Sequence, residues 1–308
     1  MALTAPRDLV TGNELSTAQI RELFHLSADI KAHPERYRSA LAGRFLALIF
    51  EKPSLRTRVT FEVGIASLGG TAVFLDHQGT RLGVRESVPD VARNLERWVH
   101  GLVARTFCQS TIEELAAHAS IPVINALSDR FHPCQALADF FTLEEHFRNL
   151  RGLKLAYVGD GNNVCHSLLL TGARLGACLR IATPKGYEPD AAVVAEARCI
   201  ARDSCARIEI LHDPAEAVTQ AQAVYTDVWA SMGQEAETAV REKIFAPYQV
   251  NEALLALAAP DAVFLHCLPA HRGQEVTSGV LDSPRSLVYE QAENRLHVQK
   301  AILLALLG

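Results

Sequence analysis

Four residues inside "FEKPSLRTRVTFE" (50–62) have the chemistry of an anion cradle: Ser54, Arg56, Thr57 and Arg58. Two hydroxyls can hydrogen-bond phosphate oxygens and two guanidiniums supply fixed positive charge. Pro53 suits the loop entering a helix, and Ser54 is a good N-cap. The first free N–H groups of that helix and its dipole then favour an anion. One isolated arginine pair here would read as solvated charge on a capped helix. The Ser-x-Arg-Thr-Arg order on a strand-to-helix turn favours the cradle. It is not a P-loop, because Gly-x-x-x-x-Gly-Lys is absent. Two further groups stand at comparable points: Arg105 at the end of "LVART", and His132, Pro133 and Gln135 opening "FHPCQALADF".

The elements that must hold these residues follow from periodicity. In the first half, "RFLALIF" (44–50), "TAVFL" (71–75), "LVART" (102–106) and "PVINA" (122–126) read as strands. Helical patterns lie between them, over 56–68 with Phe61, Ile65 and Leu68 on one face, and over 86–99 with Val91, Leu95 and Trp98 on one face. The pattern restarts after "HFRNLRG". Strands are expected at 154–160, 179–184, 207–211, 223–229 and 262–269, helices at 164–175 and 190–202, and a closing helix at the end. Alternation of this kind predicts an α/β fold of two doubly wound parallel-sheet lobes, with the C-terminal helix packing back on the first lobe. Ligands of such sheets sit at the carboxyl ends of strands, where the polar residues above fall.

A chain of 308 residues is long for one core and comfortable for two. The formal charge of −5, from 30 basic and 35 acidic residues, and the lack of a long basic tract argue against nucleic acid. The first residues lack the apolar core of a signal peptide, and no run of about 18 apolar residues predicts a membrane span. Seven scattered cysteines without a Cys-x-x-Cys pair fit a cytoplasmic protein rather than a disulfide framework or zinc site.

The segments "SLRTR", "HPCQALAD", "DGNNV", "ATPKGYEPD", "DVWASMGQE", "HCLPAHRGQEVT" and "ENRLHVQKA" resemble, in order and over essentially the whole chain, those of ornithine carbamoyltransferases. The Ser-Met-Gly and His-Cys-Leu-Pro elements are the more specific, since aspartate carbamoyltransferases share the phosphate motif. The resemblance implies transfer of a carbamoyl group from carbamoyl phosphate to the side-chain amine of L-ornithine, giving L-citrulline and phosphate, with no metal or cofactor. It implies a carbamoyl-phosphate-binding domain over 1–146, joined by 290–308, and an ornithine-binding domain over 147–289. In the first, Ser54, Leu55, Arg56 and Thr57 resemble the phosphate turn. Arg105 and His132 address the carbonyl oxygen and Gln135 the amide, with Pro133 and Cys134 in the same turn. Arg295 reaches back to this site, while Arg58 braces the turn. In the second, Asn163, Asp227, Ser231 and Met232 resemble the ornithine site. Cys267 and Leu268, counted by resemblance with the carbamoyl-phosphate contacts, lie beside the reacting amine, the leucine through its carbonyl. Arg105, His132, Asp227 and Cys267 are the catalytic set.

One departure stands out. Where the family commonly places Gln or His to enter a neighbouring subunit's site, this chain has Arg81. A shared site implies an oligomer, a trimer or a multiple of trimers by resemblance.

Three other readings compete. A dinucleotide dehydrogenase is suggested by "YVGDGNNV", but position 164 is Val where the third glycine belongs. The next strand also ends in Thr183 and Pro184 instead of the acid that takes a ribose hydroxyl. A non-catalytic binding protein of the same fold is the second. A putrescine carbamoyltransferase is the third, although putrescine has no amino-acid head for Asn163 and Asp227 to grip.

Overall fold

The computed structural model describes residues 6–76, 81–230 and 237–308. Two compact units emerge, one of residues 1–138 with 293–308, the other of residues 139–292. The boundary lies inside a continuous helix, where the sequence suggested a joint at 146.

In the first unit the chain runs α1 (Thr17–Ala32), β1 (Phe45–Phe50), α2 (Leu55–Ser67), β2 (Thr71–Asp76), α3 (Val88–Leu95), β3 (Gly101–Arg105), α4 (Gln109–His118), β4 (Val123–Leu127) and the start of α5 (Pro133–Phe147). The sheet order is β2-β1-β3-β4, all parallel. β1 is an almost unbroken apolar run because it is covered on both faces, and Leu46 to Phe50 are all buried. α2 starts where Ser54 accepts from Thr57 N–H at 3.3 Å, and Phe61, Ile65 and Leu68 are buried as its pattern requires.

α3 departs from expectation. It stops at Leu95, the chain tightens into a turn in which Trp98 N–H reaches Leu95 O, and Trp98 is 68% exposed. The buried face therefore ends at Leu95, and Trp98 points to the surface.

The second unit continues with β5 (Lys154–Val158), α6 (Asn163–Leu175), β6 (Cys178–Ala182), α7 (Ala191–Ser204), β7 (Arg207–Leu211), α8 (Pro214–Val218), β8 (Ala223–Thr226), α9 (Thr238–Phe245), α10 (Glu252–Leu255), β9 (Val263–His266), α11 (Ser278–Leu281) and α12 (Val288–Leu307), whose last part belongs to the first unit. The sheet order is β7-β6-β5-β8-β9, again parallel throughout. α6 is stopped by Gly176, which takes the left-handed cap at φ 78°. β8 and β9 end at Thr226 and His266, earlier than the apolar runs suggested. Asp227 and Cys267 thereby become loop residues at the strand ends.

Back in the first unit, α12 lies along α2, where a Cβ on Gly64 would stand 3.5 to 3.9 Å from Lys300, Leu296 and Leu303 side chains. In each sheet the connections leave the central strand in one direction and then return to its other side. The two switch points, β1/β3 and β5/β8, are the positions at which such folds bind ligands.

Candidate active site

The first half-site collects around the β1/β3 switch point. Thr57, on the first turn of α2, is buried and accepts from Arg295 Nη2 at 2.8 Å, so α12 and the Ser54 turn are tied together. Arg105 ends β3 and is buried, while Leu55 and Arg56 lie at the opening of α2. Arg58 turns away: its Nε meets Glu62 at 3.0 Å and its guanidinium lies 3.7 Å from the Phe74 ring centre.

His132 is buried immediately before α5, and its carbonyl accepts from Gln135 and Ala136 N–H. Ser128 shapes the preceding turn, accepting from Phe131 N–H and donating to Gln109 Oε1 at 2.6 Å. Pro133 packs close to Gly12, where a Cβ would stand 3.2 Å away. Gln135 is buried on the first turn. Cys134 faces inward with Sγ on Asn125 O, and burial pushes its thiol up to about 12, so it packs and does not ionise.

Buried arginines dominate the electrostatics at two groups of this half. Burial, then Arg295, then Arg105 hold His132 well below the usual imidazole range, so it is neutral at pH 7. Lys52 is buried and lowered as well, by burial first and then by Arg105. Arginines buried beside these groups create a positive potential that an anion relieves.

Lys52 had no assigned part in the sequence reading, nor had its neighbour Glu51. The buried Glu51 carboxylate accepts from Leu82 N–H at 2.6 Å and Phe107 N–H at 2.7 Å, pinning the loops after β2 and β3. Arg81 and Lys52 both approach the Phe107 ring, at 4.7 and 4.8 Å. Arg81 is exposed within its own chain.

The second half-site stands at the β5/β8 switch point. Asp227, buried just past β8, accepts from Asn162 Nδ2 at 2.7 Å and from Cys267 Sγ at 2.9 Å. The sequence pointed to Asn163 as the amide opening α6. The N-cap is Asn162, whose Oδ1 accepts from Val164 and Cys165 N–H, and Asn163 is the first helical residue. The doubled Asn carried the signal without saying which of the two would cap. Ser231 and Met232 lie outside the described residues.

The glycines of "GDGNN" have a local purpose. A Cβ on Gly161 would lie 2.2 Å from Pro189 N, so the 187–189 backbone fills the space beside this turn. A dinucleotide motif uses its second glycine to admit a pyrophosphate; this glycine admits the chain itself. Asp160 anchors the turn through Arg241, whose Nη1 reaches Asp160 Oδ2 and Trp229 O, both at 2.9 Å. Burial raises the Asp160 carboxyl to about 6 despite Arg241. On the partner, burial works the other way and is overcome by Glu237 and Asp160, which hold the guanidinium charged.

Asp227, His266 and Cys267 place ligand-type atoms within 4.8 Å of one another. Both His266 nitrogens are committed, Nδ1 to Leu268 N–H and Nε2 towards Glu275, which leaves two ligands, short of the usual zinc set.

Comparison with known proteins bears on this geometry. Residues 7–145 match the family model described as the aspartate/ornithine carbamoyltransferase carbamoyl-P binding domain, and residues 151–306 the model described as the Asp/Orn binding domain. The chain belongs to the aspartate/ornithine carbamoyltransferase family. Among its relatives, ornithine carbamoyltransferase of Anoxybacillus flavithermus is 53% identical over 98% of this chain and 96% of its own. A Pyrococcus furiosus relative named "Ornithine carbamoyltransferase, anabolic" is 54% identical over 87% of this chain and 85% of its own. The solved structure of ornithine carbamoyltransferase from Pyrococcus furiosus superposes with a TM-score of 0.96 at 49% identity, covering 100% and 99% of the two chains.

Proposed function

We propose that this enzyme transfers the carbamoyl group of carbamoyl phosphate to the side-chain amine of L-ornithine, yielding L-citrulline and phosphate. The observation that carries the reading is the β1/β3 half-site, where Arg105 and Arg295 act on a buried, neutral His132 and Arg105 also acts on Lys52, beside a capped helix start. That is the site of a dianion with a polar carbonyl attached. Ser54, Arg56, Thr57 and the α2 N–H groups take the phosphate, with Leu55 contributing backbone. Arg295 supports them through Thr57. Arg105 and His132 face the carbonyl oxygen, and Gln135 the amide. His132, being neutral, donates a hydrogen bond without adding a further full charge.

The second unit takes the amino acid. Asp227 matches an α-ammonium, and the amide and N–H groups at Asn162 and Asn163 suit an α-carboxylate. Ser231 and Met232 complete this side by resemblance. Cys267 and the Leu268 carbonyl receive the reacting amine.

The neutral amine attacks the carbonyl carbon, forming the C–N bond while the carbonyl oxygen gains charge. Collapse breaks the C–O bond to phosphate, which leaves and accepts the amine proton. Stabilising the developing oxyanion is where enzymes of this kind gain most. The family relatives' name and the anabolic designation of one of them support a biosynthetic place in arginine metabolism.

The working form is a homotrimer or a multiple of it. Leu55, Val59 and Val63 form an exposed apolar stripe at i, i+4 and i+8 on α2, beside exposed Val73 on the edge strand β2. A second copy covering this stripe would meet the chain beside the phosphate turn, consistent with Arg81 acting across subunits. No described helix is long and apolar enough to cross a membrane. None of the seven cysteines is in a disulfide, which fits a reducing, cytoplasmic setting.

Ureido product and phosphate are measured with carbamoyl phosphate and L-ornithine, putrescine or L-aspartate in turn. Product with ornithine alone is the expected result. Product with putrescine alone would refute the assignment of Asp227 to an ammonium. Binding of carbamoyl phosphate without turnover of any acceptor would make the chain a binding protein.

A further inference from the structure

The turn after β9 is held by a chain of buried polar groups that the reaction scheme above leaves unused. Leu268 has φ 58°, in the left-handed region that a residue with a Cβ avoids. Its N–H donates to His266 Nδ1 at 2.8 Å. The other ring nitrogen, Nε2, lies 3.2 Å from Glu275 Oε1, and both side chains are fully buried. The same carboxylate oxygen also accepts from His271 N–H, and Glu275 O accepts from Val250 N–H at 2.9 Å. The backbone of His266 is fixed separately, its N–H donating to Gln291 Oε1 at 3.0 Å.

These contacts determine where the imidazole proton sits. Leu268 N–H is a donor, so Nδ1 must present its lone pair, and the proton is on Nε2, directed at the carboxylate. A carboxylate is an acceptor only, so Glu275 excludes the opposite tautomer. The ring in turn gives Leu268 N–H the partner that keeps the turn in its unfavourable conformation. Between the two, Cys267 is drawn to Asp227.

We propose that His266 and Glu275 are positioning residues for carbamoyl transfer, the carboxylate setting the imidazole tautomer and the imidazole setting the backbone of Cys267 and Leu268 that receives the acceptor amine. The inference rests on the ornithine reading above. Neither side chain touches substrate; both act through the orientation of the Leu268 peptide.

Two substitutions separate this role from simple packing. The amide of H266N falls near the Nδ1 position and can accept from Leu268 N–H, but it cannot reach Glu275. The amide of H266Q falls near Nε2 and can donate to Glu275, but it leaves Leu268 N–H without its acceptor. H266Q is expected to lower kcat by about tenfold or more, the scale of one hydrogen bond that matters in the transition state. It should also raise KM for ornithine and leave KM for carbamoyl phosphate unchanged. H266N should recover most of that loss. In the intact enzyme, 15N spectra of His266 should show a proton-bearing Nε2 and a bare Nδ1 at pH 7, and E275Q should mix the two tautomers.

Equal losses in folded H266N and H266Q would overturn the proposal, as would a wild-type spectrum with the proton on Nδ1. If H266Q does not fold, E275Q decides through the same spectrum and the same split between kcat and the two KM values. An unmixed tautomer and unchanged kinetics in E275Q would refute it. Failure of the wild-type protein to carbamoylate ornithine refutes the parent reading instead, and the spectrum then still reports on the pair.

Discussion

Arg105→Ala tests the proposed chemistry most directly. Arg105 closes β3, its carbonyl accepting from Glu51 N–H at 2.9 Å, so the backbone at this point is fixed independently of the side chain. The guanidinium is buried near His132, Lys52 and Arg295, whose mutual influence shows in the lowering of His132 and Lys52. Loss of one preorganised donor to a developing oxyanion costs about 3 kcal/mol, a fall in kcat of roughly 10² to 10³. His132 cannot make up the difference. Burial is the first cause of its low pKa, so removing Arg105 leaves the ring neutral at pH 7 and adds no charge to the site. Arg105→Lys restores a point charge without the planar fork and should recover only part of the rate. The assay is ureido product at saturating carbamoyl phosphate and ornithine, with the thermal midpoint as a control for folding. A folded Arg105→Ala enzyme within about tenfold of wild type would refute the reasoning. It would move the carbonyl oxygen to another donor, with Lys52 the next to test.

On the acceptor side, Asp227→Asn keeps the shape and removes the charge. Charged hydrogen bonds contribute about 1.5–3 kcal/mol, so KM for ornithine should rise roughly ten- to 150-fold while KM for carbamoyl phosphate stays put; equal changes in both would contradict the division of labour. Gly161→Ala would force a Cβ to within 2.2 Å of Pro189 N, against backbone that cannot yield cheaply. Overpacking of this kind costs about 1–3 kcal/mol, and a midpoint unchanged on heating would count against the close approach. Asp160 titrates near 6 in the folded chain against an ordinary 3.8, so it binds a proton more tightly folded than unfolded. Its contribution to stability is therefore full below 3.8 and is lost as pH rises through about 6. Protonation nevertheless weakens the link to Arg241, and KM for ornithine should climb as pH falls below about 6. Asp160→Asn should show that higher KM at every pH, and an identical pH profile in the variant would rule the link out. Val59→Asp with Val63→Asp should shift the mass in light scattering from an oligomer to a monomer; an unchanged oligomer would mean the α2 stripe is not the interface.

The parts of this protein legible in its sequence are those whose cause is local. β1 is a run of residues apolar enough to be covered on both faces, and Ser54 caps α2 because its side chain reaches the N–H of Thr57 three residues on. Both can be seen in a window of a dozen residues. Trp98 could not. Its place on the helical period was right, but the helix stops at Leu95, and periodicity does not say where a helix will stop. Asn162 and Asn163 are equivalent by type, and the cap geometry and the contact of Asn162 with Asp227, 65 positions on, separate them. Glu275 was hidden for the same reason, being an ordinary acidic residue in a polar stretch until the fold buries it against His266. Lys52 carries no signal of its own in the sequence, and only the fold buries it beside Arg105.

The order of the strands explains why so many distant residues nonetheless fell where sequence reasoning put them. In a parallel sheet every strand delivers its next residue to the same edge, so Ser54, Arg105 and His132 need no contact signal to be brought to one side of the first sheet. Placing β1 between β2 and β3 then opens a crevice at the strand ends, because the connections diverge there. The second sheet repeats the device with β5 between β6 and β8, delivering Asn162 and Asp227. What topology cannot supply is angular precision. That comes from contacts of long sequence separation: Arg295 to Thr57, 238 positions apart; Asn162 to Asp227; Glu275 through His266 to Leu268. A substitution at a strand end should therefore change which group meets the substrate, and one in these braces how well it is aimed. The first kind should abolish a binding or rate contribution outright; the second should weaken it by degrees, without removing the group that makes it.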